Sequence, residues 1–357
     1  MNSAEFLDSR TSVMPLSATR KEVGDITEYI RRFDFLEAIN VVSDMINANK
    51  IRNIILLGSG DSYALALIYS ALMNQITCLP VRAIQSWEFI CEKSDYLDES
   101  WLVIVLSASG RQSPVVDSLI KAQTSKAQVI GITNNEESIF ALLAKMRIST
   151  GVTKAGMPTL SNVSTALWLD AIGGVLSSSY QISMKNEHDQ LKTAVDFLPD
   201  IASFKWCQEL VNLFFTHRIT VLGSGGDYGL ASMISNLLWC GPQIPNQVMQ
   251  LEEYAHALRL NQASENDLII IFDCTGNSGL MEKKIIHLLS TGGSSVKYID
   301  YESLGLIMGG NASYFQQNDN CRYYAMMLIF SLIISATEKY LAGGGRRVYV
   351  ESRDEEV

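Results

Sequence analysis

The sequence predicts an α/β protein made of two tandem domains, each a parallel sheet between layers of helices in a three-layer αβα sandwich. Three observations indicate this fold class. Near-continuous apolar runs such as "IILL" alternate with helical segments, which is typical of parallel strands covered on both faces. Similar segments recur at an almost constant offset along the chain. The length of 357 residues suits two domains of ordinary size.

The internal repeat has three landmarks. "LLGSGDSY" at 56–63 is echoed by "VLGSGGDY" at 221–228, at an offset of 165 residues. "LVIVLSASG" at 102–110 is echoed by "LIIIFDCTG" at 268–276, at an offset of 166. A third pair, "SWEF" and "LEEY", keeps the first offset. An ordered set of echoes at one spacing predicts a duplicated domain.

The elements follow one order in both copies. An apolar strand meets a glycine-rich turn and a helix, then come a short strand, a very apolar strand with a small-residue loop, another helix and another strand. We expect a helical lead-in over residues 1–45, a first domain over 46–185, a second domain over 195–345 and a polar tail over 346–357. Ligands of such sheets bind at the carboxyl ends of the strands.

Composition excludes several classes of function. The formal net charge of −10 disfavours binding to nucleic acid or to anionic membranes. The apolar stretch "YYAMMLIFSLIISATEKYLAGGG" is broken by polar residues, so a buried helix is expected there rather than a membrane span. The polar N-terminus and six scattered cysteines indicate a cytoplasmic protein with reduced thiols. No metal-ligand spacing is found, and no cofactor is expected.

The first glycine-rich turn is a candidate anion site. Gly60, Asp61 and Ser62 lie between a strand and a helix, where free N–H groups and the helix dipole favour an anion. Asp61 or Ser62 is expected to cap that helix. The alternative is a tight turn between strand and helix with no ligand.

The second small-residue loop, "SASGRQSP", adds hydroxyl groups to this predicted site. Ser107 and Ser109 follow the third strand, Gly110 permits close backbone approach, and a helix is expected to start near Pro114. A hydroxyl-rich cradle at two helix N-termini can bind phosphate without a basic residue. A further stretch places Thr159 ahead of another helix, where it is either a ligand residue or a simple cap.

"LLGSGDSY", "SWEF", "VLSASGRQ" and "AGMPTLSNVSTALW" together resemble the landmarks of sugar isomerase (SIS) domains. The duplicated arrangement is similar to the phosphosugar isomerases and deglycases with two such domains, including the isomerase half of glutamine–fructose-6-phosphate aminotransferase. The resemblance extends over about residues 45 to 345, without a glutaminase domain before it. It implies that the first copy binds the phosphate of a sugar phosphate.

By this resemblance the phosphosugar-binding residues are those of the first turn and the serine-rich loop. They are Gly60, Asp61, Ser62, Ser107, Ala108 through its backbone, Ser109 and Gln112, with Thr159 lining the sugar. The family usually has Thr at the position of Gln112, so one phosphate-binding hydroxyl is lost here.

The resemblance places the catalytic residues in the second copy. "EEYAHAL" resembles the segment with the ring-opening histidine, which corresponds to His256. In relatives this histidine reaches the neighbouring subunit's site, which implies a homodimer or higher oligomer. Isomerising relatives have a proton-shuttling glutamate sixteen residues earlier, and the gapless count reaches Cys240. Glu252 and Glu253 are the alternative carboxylates, and the family's C-terminal lysine is not evident.

Three functions therefore stay open from sequence. The first is an enzyme that isomerises, deaminates or deglycates a phosphorylated ketosamine or amino sugar through ring opening and an enediol-type step. The second is a non-catalytic or regulatory sugar-phosphate-binding protein, since a thiol replaces the expected carboxylate. The third is a structural dimer with an empty cleft.

Overall fold

The structure, a computed structural model, describes residues 14–194, 204–257, 264–274, 284–307 and 320–347, apart from positions 288, 290 and 292. The described residues fall into two compact units. The N-terminal unit contains Gly24–Lys192. The C-terminal unit contains the described residues of 193–347 together with residues 14–23.

The first half of the chain begins with helices and continues into alternating strands and helices. In order, the elements are α1 Leu16–Arg32, α2 Phe35–Met45, β1 Asn53–Gly58, α3 Asp61–Thr77, β2 Val81–Gln85, α4 Ser86–Cys91, β3 Trp101–Ser107, α5 Pro114–Gln123, β4 Gln128–Thr133, α6 Ile139–Leu143, β5 Arg147–Ser149, α7 Leu160–Leu176 and α8 Ser178–Ala194.

The N-terminal unit contains a five-stranded parallel sheet with the order β2-β1-β3-β4-β5. The central strands β1 and β3 are buried because their apolar residues face helices on both sides of the sheet. The register pairs Ile54 with Leu102, and it pairs Ser107 with Thr133 where β3 and β4 end. The polar ends of two neighbouring strands therefore lie side by side.

The second half of the chain again alternates strands with helices. Its elements are α9 Lys205–Phe214, β6 Arg218–Gly223, α10 Gly226–Cys240, β7 Asn246–Gln250, α11 Leu251–Ala257, β8 Asp267–Asp273, β9 Ser295–Asp300, α12 Tyr301–Ile307 and α13 Cys321–Ala342.

The C-terminal unit contains a parallel sheet with the order β7-β6-β8-β9 over its described strands. Helix α13 contacts α9, α10 and α12. By length and composition alone it could cross a membrane, but 61% of its most apolar window is buried within the structure. A buried core helix has the same composition, so this helix carries no argument for a membrane.

The glycine-rich turns after β1 and β6 have the same backbone conformation. Gly60 has φ +57 and ψ −127, and Gly225 has φ +56 and ψ −123, a region that glycine enters without strain. A Cβ atom on Gly58 would lie 2.7 Å from the carbonyl carbon of Ser62, so the strand approaches the following helix too closely for a side chain. Each turn thus brings a helix N-terminus against the carboxyl end of its strand.

Candidate functional site

The candidate site is the carboxyl edge of the first sheet, where the loops after β1, β3, β4 and β5 meet. The fold brings the first turn and the serine loop, residues 107–113, to this edge because parallel strands all end on the same side. Thr159 precedes α7 and is buried.

Three long helices begin at or near this edge without a side-chain cap. Their N-cap residues are Gly60, Ser113 and Thr159, and none of these side chains accepts a hydrogen bond from its helix. By contrast, Asp34 and Ser138 do cap α2 and α6. The first-turn N–H groups of α3, α5 and α7 therefore lack the usual capping acceptor and can bind an anion.

The cap of α3 differs from the expectation. Gly60 occupies the N-cap position, so Asp61 and Ser62 are the first two helical residues and the expectation that either caps the helix is wrong. Asp61 is buried, and its carboxylate lies at the positive end of the helix dipole. Ser62 is half-buried, and its hydroxyl has no hydrogen-bond partner among the described residues.

The serine loop is held by backbone hydrogen bonds to the loop after β4. Asn134 N donates to Ala108 O at 3.3 Å, and Phe140 N donates to Gly110 O at 3.2 Å. The Ser107 side chain is buried, and its hydroxyl has no partner within the described part of the chain. Ser109 is half-buried, and its Oγ accepts a long bond from Arg111 N at 3.5 Å.

Gly110 fixes the shape of the serine loop. Its φ of +64 lies in the left-handed region, and a Cβ atom there would lie 2.0 Å from Ser138 Oγ. Only glycine satisfies both conditions without rearrangement.

A small cavity of about 310 Å³ opens beside the serine loop. Its lining residues are Ser109, Gly110, Arg111, Gln112, Asn135, Ser138 and Ile139. The exposed Gln112 side chain donates from Nε2 to Asp117 Oδ1 at 3.4 Å, so it is directed partly along α5. The cavity contains hydroxyl and amide groups that suit a phosphate or a sugar.

One feature of this edge has no counterpart in the sequence pattern. Three buried polar atoms have no hydrogen-bond partner within the described residues: Ser86 Oγ after β2, Asn134 Oδ1 after β4 and Ser161 Oγ in the first turn of α7. Since buried polar groups are nearly always paired, each of these atoms is a position where a water molecule or a ligand can bind. No residue pattern gives this signal, because it depends on which atoms the fold leaves unpaired.

The same edge of the second sheet is acidic. Asp273 and Asp300 end β8 and β9 in the positions that Ser107 and Thr133 occupy in the first sheet. Tyr298 Oη donates to Asp273 Oδ2 at 2.6 Å, and Cys274 N donates to Asp227 Oδ1 at 2.9 Å. Carboxylates at these positions repel a phosphate, so the two edges differ in the ligands they favour.

The predicted catalytic residues of α11 are exposed. Glu252, Glu253 and His256 lie on this helix, which follows the carboxyl end of β7. None of the three side chains has a hydrogen bond or ion pair within the part of the chain that the structure describes. No described residue therefore orients His256 for proton transfer.

Cys240 is the last residue of α10. The helix has 15 residues, so Cys240 lies about 21 Å along it from the carboxyl edge where the helix begins. The carbonyl of Cys240 accepts a bond from the buried Arg347, Nη1 to O, at 3.5 Å. Arg347 Nη2 also donates to Met14 O at 2.7 Å, so this guanidinium joins the two ends of the chain.

A larger cavity of about 890 Å³ lies in the C-terminal unit. It is lined in part by residues close in sequence to Cys240 and to His256. Pro242 and Gln243 line it from the segment after α10, and Tyr254 and Ala257 line it from α11. Burial and the neighbouring Asp267 raise the pKa of Tyr254. None of the four predicted catalytic side chains is among its lining residues.

Comparison with protein families gives one match. Residues 48–173 match the SIS domain model. The segment includes all five strands of the first sheet and the serine loop. This segment of the chain is therefore similar to SIS domains, and in the structure it is a parallel sheet flanked by helices.

Two curated proteins are similar in sequence, and both are glutamine–fructose-6-phosphate aminotransferases (isomerizing). The one from Caldanaerobacter subterraneus is 24% identical over 214 residues, which are 55% of this chain and 33% of that protein. The one from Pyrococcus horikoshii is 30% identical over 101 residues, 28% of this chain and 17% of that protein. The chain thus spans a third or less of the length of these relatives.

Solved structures share the fold over nearly the whole chain. The C-terminal domain of glucosamine-fructose-6-phosphate aminotransferase from Francisella tularensis has a TM-score of 0.70 at 14% identity, covering 91% of this chain and 96% of that one. Glucosamine-6-phosphate deaminase from Thermotoga maritima has a TM-score of 0.65 at 18% identity, with 92% and 96% covered. Tagatose-6-phosphate ketose/aldose isomerase from Escherichia coli has 0.64 at 16% identity, with 94% and 97% covered.

Proposed function

We propose that this protein binds a sugar phosphate at the carboxyl edge of the first sheet and acts on a phosphorylated ketosamine or amino sugar. The observation that carries the proposal is the set of three long helices that begin there without side-chain caps, beside the serine loop. Their N–H groups and the unpaired hydroxyls of Ser62 and Ser107 supply donors for phosphate oxygens.

The contrast between the two sheets supports the choice of the first one. At matching positions the first sheet ends in Ser107 and Thr133, whereas the second ends in Asp273 and Asp300. Hydroxyl groups can donate to a phosphate dianion, and carboxylates cannot. The names of two proteins with this fold contain fructose 6-phosphate and glucosamine 6-phosphate, which supports a sugar phosphate as the ligand here.

The reaction needs a group that opens the sugar ring and a base that moves a proton between adjacent carbons. His256 is the candidate for ring opening, since an imidazole can both donate and accept a proton near neutral pH. Its exposure supports the proposal that it acts in a homodimer or higher oligomer, where a second copy would cover it. Glu252, Glu253 and Cys240 are the candidates for the base.

Binding of the phosphate is tested by replacing Ser107 with alanine. We expect Ser107→Ala to weaken binding of glucosamine 6-phosphate and of inorganic phosphate about 10- to 100-fold, because a hydrogen bond to a charged group contributes about 1.5–3 kcal/mol. Isothermal titration calorimetry measures both affinities. Ser232→Ala is the control, since its hydroxyl donates to Tyr228 O at 2.7 Å within α10. Affinities within twofold of the unmodified protein would contradict the assignment.

A second candidate function is a sugar-phosphate-binding protein without isomerase activity. Cys240 favours it, because a thiol is a poor proton shuttle between carbon atoms compared with a carboxylate. We predict little exchange of the C1 and C2 protons of fructose 6-phosphate or glucosamine 6-phosphate in D₂O. Cys240→Glu should raise the exchange, with Cys240→Gln as the uncharged control, and NMR spectroscopy follows both.

Proton-exchange rates of variants in α11 further distinguish the enzyme from the binding protein. Rapid exchange in the unmodified protein that is lost in Glu252→Gln or Glu253→Gln would assign the base to α11 instead of Cys240. Binding without exchange in the unmodified protein, and without any gain in Cys240→Glu, would favour the binding protein.

A further inference from the structure

We propose that the Asp227 carboxylate takes, in the second sheet, the position that a sugar phosphate takes in the first, so that Asp227 determines which glycine-rich turn binds the ligand. The part that concerns the ligand rests on the proposed function. Asp227 is the second residue of α10 and is completely buried. Its Oδ1 accepts a hydrogen bond of 2.9 Å from the backbone N–H of Cys274, the first residue after β8. The carboxylate therefore joins the start of a helix to the loop after the neighbouring strand.

Asp227 and Ser62 occupy equivalent positions in the two units. Each is the second residue of its helix and follows an N-cap glycine, Gly225 or Gly60, with nearly the same φ and ψ angles. A Cβ atom on the glycine that ends the preceding strand would lie 2.4 Å from the carbonyl carbon of Asp227 and 2.7 Å from that of Ser62. The two turns therefore bring these side chains to the same place relative to their own sheets.

Cys274 and Ala108 are also equivalent. Ala108 follows β3, which pairs with β1, and Cys274 follows β8, which pairs with β6. In the second sheet, Asp227 bridges the turn and this loop. In the first sheet, Ser62 forms no side-chain hydrogen bond in the described part of the chain, so it does not bridge them. A phosphate bound there would fill the same span, with oxygens directed toward the start of α3 and toward the serine loop.

A carboxylate and a phosphate meet the same chemical requirement at this position. Both are negatively charged and offer acceptor oxygens, which suit backbone N–H groups and the positive end of a helix dipole. Burying a carboxylate is costly, and the charge-assisted bond from Cys274 N–H together with the dipole offsets that cost. Asp61 is not the counterpart of Asp227, because it precedes Ser62 and matches Gly226. The second turn thus contains an anion that belongs to the chain itself.

Chemical rescue with formate tests whether Asp227 acts as this built-in anion. Asp227→Gly removes the side chain and leaves space for formate, which carries the same carboxylate group. We expect the variant to have a lower urea midpoint than the unmodified protein, and formate to restore part of the loss relative to chloride at equal ionic strength. Glu37→Ala is the matched control, since Glu37 is an exposed acidic residue in the first turn of α2. Formate should leave the control and the unmodified protein at their midpoints in chloride.

Asp227→Asn separates the charge from the shape of the side chain. It keeps the size and one acceptor oxygen, so we expect a lower urea midpoint without rescue by formate, because the space stays filled. A midpoint equal to that of the unmodified protein would overturn the inference, since a neutral acceptor would then suffice. Absence of rescue in a folded Asp227→Gly, or an equal gain in Glu37→Ala, would also overturn it. If Asp227→Gly is unfolded in both salts, the midpoint of Asp227→Asn decides.

Titration calorimetry with inorganic phosphate tests the consequence for the ligand. We expect the unmodified protein to bind one phosphate per chain, with an affinity that falls in Ser107→Ala. Two phosphates per chain, or one whose affinity falls in Asp227→Asn but not in Ser107→Ala, would overturn the assignment of Asp227. If no phosphate binds, the proposed function and its consequence for the ligand fail together, whereas formate rescue still decides whether Asp227 is a built-in anion.

Discussion

Gly110 shows how one residue can determine the shape of the phosphate-binding loop. Gly110→Ala places a methyl group at φ +64 and 2.0 Å from Ser138 Oγ. We expect a loss of about 1–2 kcal/mol from the positive φ and a further 1–3 kcal/mol from overpacking. Urea denaturation measures the loss. Gly151→Ala is a close control, because Gly151 has φ +72 and no atom within 4 Å of its Cβ position. Equal losses in the two variants would show that the contact with Ser138 is unimportant.

His188 is a buried histidine among aromatic rings. Its ring lies 5.6 Å from that of Phe33 and 5.9 Å from that of Phe35, between ring centroids, and its Nε2 has no partner in the described residues. Burial, with a smaller effect of nearby Lys192, lowers its pKa from 6.5 to about 4. The surrounding carboxylates only partly oppose this shift.

This lowered pKa makes the stability of the fold pH-dependent. Between pH 6.5 and 4 the unfolded chain binds a proton at His188 that the folded chain does not, so stability falls as the pH falls. The loss reaches about 3 kcal/mol near pH 4. We expect His188→Phe to remove that part of the acid destabilisation, as measured by urea denaturation at pH 4.5 and 7. The same substitution at exposed His287 should leave the difference between the two pH values unchanged. An unchanged profile in His188→Phe would contradict the lowered pKa.

At the scale of elements, the sequence predicted the ends of helices and strands where neighbouring residues, such as a proline at the start of a helix, determine them. The start of α5 at Pro114 is confirmed, and the serine loop follows β3 as expected. The prediction that Asp61 or Ser62 caps α3 was wrong. Gly60 is the N-cap residue, and the close approach of Gly58 to Ser62 sets where the helix begins. The unpaired side-chain atoms Asn134 Oδ1 and Ser161 Oγ were not predictable, since they depend on which atoms the fold leaves without a partner.

Cys240 illustrates the same limit in the C-terminal unit. Counting along the sequence identified the residue but not its surroundings. The structure places Cys240 at the end of α10, with its carbonyl bonded to Arg347, which lies 107 residues further along the chain. A contact over that separation leaves no local pattern in the sequence. Whether Cys240 takes part in catalysis stays a prediction for the exchange experiment.

At the scale of the molecule, the predicted parallel α/β architecture is confirmed. The described strands of the second sheet repeat the order of the first, with the earliest strand second from one edge in both. The family match covers the first sheet, so the duplication itself stays a prediction. Apolar strand runs and glycine turns were enough to predict the sheets because both are local signals. Long-range pairing of the chain ends was not predictable.

The start of the chain illustrates that long-range pairing. The sequence predicts a helical lead-in over residues 1–45, and the described residues 14–23 of that stretch belong to the same unit as α13. Arg20 Nη2 lies 2.6 Å from Glu338 Oε1 of α13, and Arg347 bonds the carbonyl of Met14. The first turns of α1 thus contribute to the unit that is farther away in sequence.

The C-terminal unit is built from two stretches that are far apart in the chain, so its parts are synthesised at different times. Met14 and Arg347 are 333 residues apart, so the first of these partners leaves the ribosome long before the second is made. Gly24–Lys192 is synthesised before α13, whereas the C-terminal unit stays incomplete until Cys321–Ala342 has been made. A nascent chain arrested before α13 would therefore expose the apolar surfaces of α9 and α10 that this helix covers. Those surfaces stay uncovered during translation until α13 has emerged and packs against them.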